Sequence, residues 1–359
     1  MTRDDVLALV GRGEPLRDLD LGGCDLAGAD LGGVILDRCS LRAADLRGAT
    51  LAEATLTRCD LAGAQLAGAK LRHTVFHESR LCEVDLDGAD LTLTKLVKSD
   101  LAGARIRRQR LLATTFLECD LARASFAGTT FVNGVIHACV LHDLDLTGAT
   151  LEKTSLVEAD LTRAVLAHVT LHQAILVGAR LAGVSLVGLD LAGTQLAKAD
   201  LAGCDLSGSR LAGANFQEAS LRDARLDRAD LQRALFSEAD AVGASLESAD
   251  LRQSVWHRAT ARRARFPRAR MNEAILREAT VDEASFAGAS LSYADLSHAS
   301  ARGADFTAAN LFRARLHGTI GVADVLARSP EASGDDLALA EAERLAAERT
   351  GRRPNLEGT

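Results

Sequence analysis

The hydrophobic pattern of this chain repeats every five residues. Large apolar side chains recur at every fifth position from Leu16 to Leu316, as in ADLRGATLAEATL (44–56), and 44 of these 61 positions are Leu and 9 are Phe. An α-helix buries positions with a period of 3.6 and a strand with a period of 2. The pattern therefore predicts neither a helical bundle nor an ordinary sheet. The eight positions that hold another residue are Ile106, Ile136, Ala241, Trp256, Ala261, Met271, Val281 and Ala301.

Two further regularities accompany the period. A small residue, usually Ala, stands two places before each large apolar position, and 21 of the 30 glycines stand two places after one. Self-similarity at a short fixed period is typical of a solenoid, in which each unit buries its apolar face only against its neighbours. Glycine after the apolar position would supply the positive φ that a type II corner turn requires.

Stretches such as AADLRGATL, EADLTRAVL and SADLRQSVW resemble the A(D/N)LXX consensus of the pentapeptide repeat proteins. The resemblance covers residues 14–318. It implies an all-β fold, a right-handed quadrilateral parallel β-helix with four pentapeptides per coil and about 15 coils. The Leu or Phe and the small residue would point inward, and the other three residues of each pentapeptide outward.

Three segments are expected along the chain. Residues 1–13 would form an N-terminal capping helix with Thr2 as its N-cap, residues 14–318 the β-helix, and residues 319–359 a C-terminal helical cap or dimerisation segment. A helix over 335–350 would follow a Ser333–Asp336 capping box. In some members of the family such a helix joins two rods, so the resemblance implies a homodimer as one alternative and a simple cap as the other.

Composition and charge indicate the cellular compartment in which the protein is expected. The net charge is −7, no apolar run is long enough to cross a membrane, and acids occupy the start of the chain where a secretory signal has positive charge. We therefore expect a cytoplasmic protein without a membrane partner. Six of the seven cysteines fill the small inward position, which predicts reduced core thiols. Disulfides between cysteines one coil apart, such as Cys39 and Cys59, are the alternative.

The sequence contains little evidence of a catalytic site. The segment GAQLAGAKL (63–71) lacks the Gly-Lys-Ser/Thr ending of a phosphate loop, and its glycines fall on corner positions of the repeat. His77, His137, His257 and His317 share one outward column but lie at least three coils apart, too far to share a metal. No catalytic residue, cofactor or metal is predicted, and the chain is expected not to be an enzyme.

Three functions remain compatible with a rod that acts through its surface. The first is a scaffold that binds a protein partner. The second follows from the family, some members of which mimic DNA and protect DNA gyrase. Phosphates would then be represented by one outward column of aspartates: Asp60, Asp100, Asp120, Asp160, Asp200 and Asp240. The third is a structural or cargo-loading role in type VI secretion, because the opening TRDDVLALVGRGEPLRDLDLGG resembles segments encoded with that apparatus.

The basic segments ARIRRQR (104–110) and HRATARRARFPRAR (257–270) interrupt the acidic character that a DNA mimic needs. No aromatic residues alternate with these arginines to stack on bases, so direct nucleic-acid binding is not predicted.

One of the four faces differs from the others. Aspartate is scarce before its large apolar position, and Val, Ile and Leu take its place, which predicts a continuous apolar stripe between charged edges. The stripe marks either a partner-binding surface or the flattest sheet of the helix, where β-branched residues are favoured. Its candidate binding residues are Val135, Val157, Ile175, Val177, Leu235, Val255 and Ile275.

Overall fold

A computed structural model describes residues 1–334 and 336–350, and of residues 347–350 only the helical backbone. The chain is a parallel β-solenoid in which each residue pairs with the residue 20 positions further on, as in Leu16↔Leu36 and Ser300↔Ile320. Four pentapeptides therefore make one coil, and the inward Leu of one coil lies over that of the next. Pairing between successive coils satisfies backbone groups that a single pentapeptide leaves open.

The chain divides into two compact units, Met1–Arg180 (unit 1) and Leu181–Thr359 (unit 2). Unit 1 holds a seven-stranded parallel sheet in the order β1-β2-β3-β4-β5-β7-β9 and a three-stranded sheet in the order β10-β8-β6. The strands are β1 Leu16–Arg17, β2 Ile35–Asp37, β3 Thr55–Thr57, β4 Val75–His77, β5 Lys95–Val97, β6 Arg110–Leu112, β7 Thr115–Leu117, β8 Thr130–Val132, β9 Val135–His137 and β10 Thr150–Glu152.

In unit 2 the described coils are joined by single β-bridges, from Ser185↔Asp205 to Ser300↔Ile320. The longest ladder of regular strands, in unit 1, has seven members, so the regular strands do not reach the predicted count of about 15 coils. The reason is that a pentapeptide with a turn at its end leaves one or two residues in extended pairing, too few for a regular strand in most coils.

Corner residues adopt positive φ whether or not they are glycine. Arg258 has φ 56° and Glu278 φ 58°, although left-handed backbone costs a non-glycine residue about 1 kcal/mol. Many corner N–H groups donate to the coil that follows, as Arg258 N does to Arg277 O over 3.0 Å. The predicted role of glycine is therefore only a preference, because coil-to-coil hydrogen bonding holds the same turn in other residues.

The core of unit 2 contains two columns of stacked rings. Phe216, Phe236 and Trp256 stack at centroid distances of 4.8 and 4.0 Å, and Trp256 Nε1 donates to the buried Ser254 Oγ over 2.9 Å. Trp256 also meets the edge of Phe266, which begins the second column, at 5.7 Å. Between these two in sequence stands the buried Ala261, where most coils have Leu. A small residue there is consistent with two large rings that already fill the coil.

Helices precede and follow the repeat. α1 (Arg3–Val10) begins with Thr2, whose hydroxyl accepts from Asp5 N–H, and it buries Val6. After the last coils come α2 (Ala323–Arg328) and α3 (Leu337–Thr350). The predicted Ser333–Asp336 capping box is wrong: Ser333 forms a β-bridge with Arg315. Asp336 Oδ1 caps α3 alone, at 3.0 Å from the N–H groups of Ala338 and Leu339.

Asp335 and residues 351–359, part of the predicted C-terminal segment, lie outside the described residues. Across the described part, no helix combines the length and apolar character needed to span a bilayer. All seven cysteines are free thiols.

Candidate protein-binding surface

The predicted stripe lies on the face of the solenoid that carries the seven-stranded sheet of unit 1. Its outward column there runs through Ile35, Thr55, Val75, Lys95 and Thr115 to Val135, one residue in each strand. Threonines and a lysine separate the aliphatic residues, so the prediction of a continuous apolar stripe is wrong.

The remaining candidates of unit 1 lie just beyond that sheet. Val135 and Ile175 are on one column with Ser155 between them, paired to it by single bridges. Val157 and Val177 are successive members of the next column, where Val177 O accepts from Glu158 N–H over 2.8 Å. All four aliphatic side chains are half-buried. Ser155 separates Val135 from Ile175, whereas Val157 and Val177 follow one another directly.

Unit 2 brings three candidates together without interruption. Leu235 pairs with Val255 and Val255 with Ile275 through single β-bridges, so the three side chains follow one another on successive coils. Leu235 is 41% exposed and Ile275 39% exposed, and Val255 between them is half-buried. We call these three residues the apolar column.

Hydrogen-bonded polar ladders run along both sides of the apolar column. On one side Arg233 Nε donates to Gln253 Oε1 over 3.0 Å, and Gln253 Nε2 donates to Glu273 Oε2 over 2.9 Å. On the other side Arg258 Nε donates to Glu278 Oε2 over 2.8 Å. This hydrogen bond lowers the pKa of Glu278 and raises that of Arg258. Both ladders hold their charged ends in place beside exposed aliphatic carbon, the arrangement of an interface core with a polar rim.

The aspartate column has a local structural role. Each of its six carboxylates accepts from the backbone N–H two residues further on: Asp60, Asp100, Asp120, Asp160, Asp200 and Asp240. This bond stabilises the corner turn. Asp60 also pairs with Arg42 at 2.9 Å and Arg80 at 3.3 Å.

Arginines meet other members of the column. Asp160 pairs with Arg180 at 3.0 Å and Asp240 with Arg222 at 2.7 Å. The hydroxyl of Thr162 lowers the pKa of Asp160, so that carboxylate is ionised at neutral pH. Its charge, however, faces a guanidinium within the protein.

A cluster of two histidines and a glutamate was missed in the sequence. His298 Nε2 lies 3.2 Å from Glu343 Oε1, and His317 Nε2 lies 3.4 Å from Glu343 Oε2. His317 was predicted to be remote from other ligand-like side chains, which is true along its own column. Glu343 reaches it from α3, and sequence spacing contains no signal for that approach.

The hydrogen bonds of His317 assign this cluster a structural role. Its Nδ1 accepts from Asp336 N–H over 3.1 Å, so in the neutral ring Nε2 carries the hydrogen and donates to Glu343. A nitrogen that carries a hydrogen is not free to ligate a metal. The cluster therefore fastens α3 to the last coils.

Comparisons with known proteins agree with this architecture. Eight segments match the family described as pentapeptide repeats and together cover more than half of the chain: 24–61, 59–97, 145–183, 174–213, 214–253, 239–277, 257–292 and 289–320. A search of curated proteins finds no match.

Three of the solved structures to which this chain is similar are the following. HetL, a pentapeptide repeat protein involved in heterocyst differentiation regulation in the cyanobacterium Nostoc sp. strain PCC 7120, is 22% identical over 88% of this chain and 96% of its own, with a TM-score of 0.25. QnrB1, a plasmid-mediated fluoroquinolone resistance protein, is 19% identical over 51% of this chain and 83% of its own, with a TM-score of 0.33. A pentapeptide repeat protein of the Arabidopsis thaliana thylakoid lumen is 23% identical over 35% and 68%, with a TM-score of 0.19.

Proposed function

The chain belongs to the pentapeptide repeat family, and we propose that it is a non-catalytic protein that binds a protein partner through the apolar column of unit 2. The column is the longest uninterrupted run among the seven candidate residues. Its aliphatic side chains would form the centre of the interface, and the two polar ladders would form its rim.

One observation carries this proposal: the residues of the apolar column do not belong to a regular strand. In unit 1 the β-branched Ile35, Val75 and Val135 each lie in a strand of the seven-stranded sheet, so sheet propensity accounts for them. Leu235, Val255 and Ile275 are joined only by single bridges, and Leu is not β-branched. Since local structure does not explain three successive outward aliphatic residues, two of them exposed, contact with a partner is the better explanation.

The test is partner capture from a lysate of the native host. The double variant Leu235→Lys/Ile275→Lys places two charges in the apolar column, and Val187→Lys is the control because Val187, 52% exposed, is an exposed aliphatic residue elsewhere in unit 2. We expect proteins retained by the wild type and by Val187→Lys to be lost from the double variant. If all three proteins have the same circular dichroism and retain the same partners, the proposal is wrong.

The DNA-mimic alternative has less support from the site. A mimic needs carboxylates displayed to the solvent, whereas those of the aspartate column accept backbone hydrogen bonds, and Asp60, Asp160 and Asp240 also pair with arginines. A gyrase supercoiling assay with and without a topoisomerase poison tests this alternative. Protection of gyrase by the wild type, lost when Asp100 and Asp120 are replaced by Asn, would favour the mimic over the scaffold.

We also propose that a second copy of the chain is one partner, through α3. Leu337 is 81% exposed, and Leu339 and Leu345 are also exposed, while Glu343 of the same helix contacts His298 and His317. The helix is thus fastened to its own coils with leucines left uncovered, which a second α3 could bury.

A further inference from the structure

A single strongly basic coil lies in unit 2. Residues 256–275 contain six arginines and one glutamate, whereas the coils before and after it, 236–255 and 276–295, each contain four acids and one arginine. The six arginines are Arg258, Arg262, Arg263, Arg265, Arg268 and Arg270. Stacking places each arginine between residues 20 positions away, so carboxylates of the adjacent coils are available to neutralise some of them.

Three of the six arginines are neutralised in this way. Arg258 pairs with Glu278 at 2.8 Å, Arg270 pairs with Asp250 at 3.2 Å, and Arg268 pairs with Glu247. The three paired arginines lie in two pentapeptides of the coil, 256–260 and 266–270.

The side chains of Arg262, Arg263 and Arg265 form no hydrogen bond or ion pair with any residue that the structure describes. Arg265 bridges Ser245 and Ser285, neither of which carries a charge. The carboxylate nearest to Arg262 in register is Asp282, whose Oδ1 already accepts from Ser300 Oγ at 2.6 Å and Arg302 N at 2.9 Å. One edge of the coil, formed by the pentapeptide 261–265, therefore carries three guanidinium groups that have no ion-pair partner among the described residues.

A cleft of about 390 Å³ lies at that edge. Its lining consists of Arg222, Val242, Thr260, Arg262, Arg263 and Glu283. Val242 is a short side chain at a position where the coils before and after it have Arg222 and Arg262, so the two long side chains stand on either side of a gap. Arg222 is neutralised by Asp240 at 2.7 Å. Arg262 and Arg263 have no ion-pair partner among the described residues, and Glu283 is the one carboxylate among the lining residues.

We propose that this cleft binds a side-chain carboxylate from an acidic segment of a protein partner. Among the lining residues without an ion-pair partner, two guanidinium groups face one glutamate, and this excess of one positive charge matches one carboxylate better than a dianionic phosphate. Guanidinium forks bind carboxylates through paired hydrogen bonds, and Thr260 adds a hydroxyl donor. The lining has no aromatic side chain on which a nucleobase could stack. Arg265, on the next face, can meet a second acid of the same segment.

This site goes beyond the apolar column, because Thr260 lies one pentapeptide after Val255 and faces a different side of the coil. The experiment measures binding of a fluorescently labelled octaglutamate peptide to the full chain by polarisation, at low and at physiological salt. Arg262→Gln/Arg263→Gln removes the two free charges. Arg268→Gln/Arg270→Gln is the matched control, because it removes the same charge from the same coil at paired positions.

We expect at least a tenfold loss of peptide affinity in Arg262→Gln/Arg263→Gln and less than a threefold change in the control. Binding should weaken with salt, since the site is exposed. Absence of saturable binding to the wild type, or equal losses in the two variants, would overturn the proposal. Tighter binding of inorganic phosphate or of a DNA duplex to the same arginines would also overturn it in favour of a phosphate site.

Discussion

Arg258 donates through Nε to Oε2 of Glu278, 2.8 Å away and one coil further along the chain. Both side chains are more than one-third exposed, so solvent screens the pair and its effect on stability is small. Its position beside Val255 makes it part of the rim of the proposed interface. Because such rims affect association more than folding, its removal should be visible in partner binding before it is visible in unfolding.

The Arg258–Glu278 pair should give stability a pH dependence. The hydrogen bond from Arg258 lowers the pKa of Glu278 below its ordinary value of 4.5. Stabilisation by this group is therefore present above pH 4.5 and is lost as the pH falls through the folded-state pKa. We expect Arg258→Gln to lower the urea midpoint slightly at pH 6 and to have less effect at pH 3. In a Glu278→Gln background the same change should have no effect at either pH, and an effect that persists would contradict the assignment.

Restoring the commonest residue of the repeat at position 261 should destabilise the protein. Ala261→Leu adds volume to a coil that already holds Trp256 and Phe266 in edge contact, and overpacking of this kind costs about 1–3 kcal/mol. Urea unfolding followed by the fluorescence of Trp256, the single tryptophan, measures the change. Val281→Leu, at the same position one coil later, is the control and should cost less. Equal midpoints for wild type and Ala261→Leu would show that the coil has unfilled space.

Substitutions at Val135 in unit 1 and at the apolar column in unit 2 should separate packing from binding. Val135 lies in β9, so Val135→Lys should lower the free energy of unfolding by up to about 1 kcal/mol through lost strand propensity. It should leave partner capture unchanged. If Val135→Lys removed the same partners as Leu235→Lys/Ile275→Lys, the binding surface would extend into unit 1.

Thiol reactivity should follow burial. Burial raises the pKa of Cys204 to about 11, so its thiolate is scarce at pH 8 and alkylation of the folded chain should be slow. Cys82 is half-buried and is the one cysteine outside the small inward position, so it should react before the buried thiols. Mass spectrometry after timed alkylation identifies the modified residues, and all seven thiols should react in denaturant. Rapid alkylation of Cys204 in the folded protein would mean that this coil opens.

Dimerisation through α3 predicts a change of mass in solution. Light scattering should report a dimer for the wild type and a monomer for Leu337→Lys/Leu345→Lys, because two charges would oppose burial of the exposed leucines. Ala338→Lys is not a suitable control because it lies in the same first turn. Val187→Lys serves that purpose, and a monomeric wild type would exclude the dimer.

The sequence alone predicted the interior well. The five-residue period identified the buried residues, from Leu21 to Leu316, because the orientation of a side chain in a pentapeptide depends on the local turn. The hydrogen bonds of the aspartates are equally local, since Asp100 Oδ1 accepts from the N–H of Ala102, two residues further on. The cap of α3 was assigned to Ser333 instead of Asp336 because one more extended pairing, Arg315↔Ser333, follows the repeat without sharing its spacing.

What the sequence determined is therefore everything that depends on contacts within one pentapeptide or at the fixed separation of 20 residues: the parallel coils, the core and the columns. Only the tertiary structure decided which surface charges are neutralised and which remain free. Arg268 reaches Glu247, 21 residues earlier, whereas Arg263 pairs with no acid among the described residues, and Glu343 comes to His317 from a helix outside the repeat. A long side chain can reach several neighbours, and its length and orientation decide which of them it contacts. Those neighbours exist only when the coils are stacked.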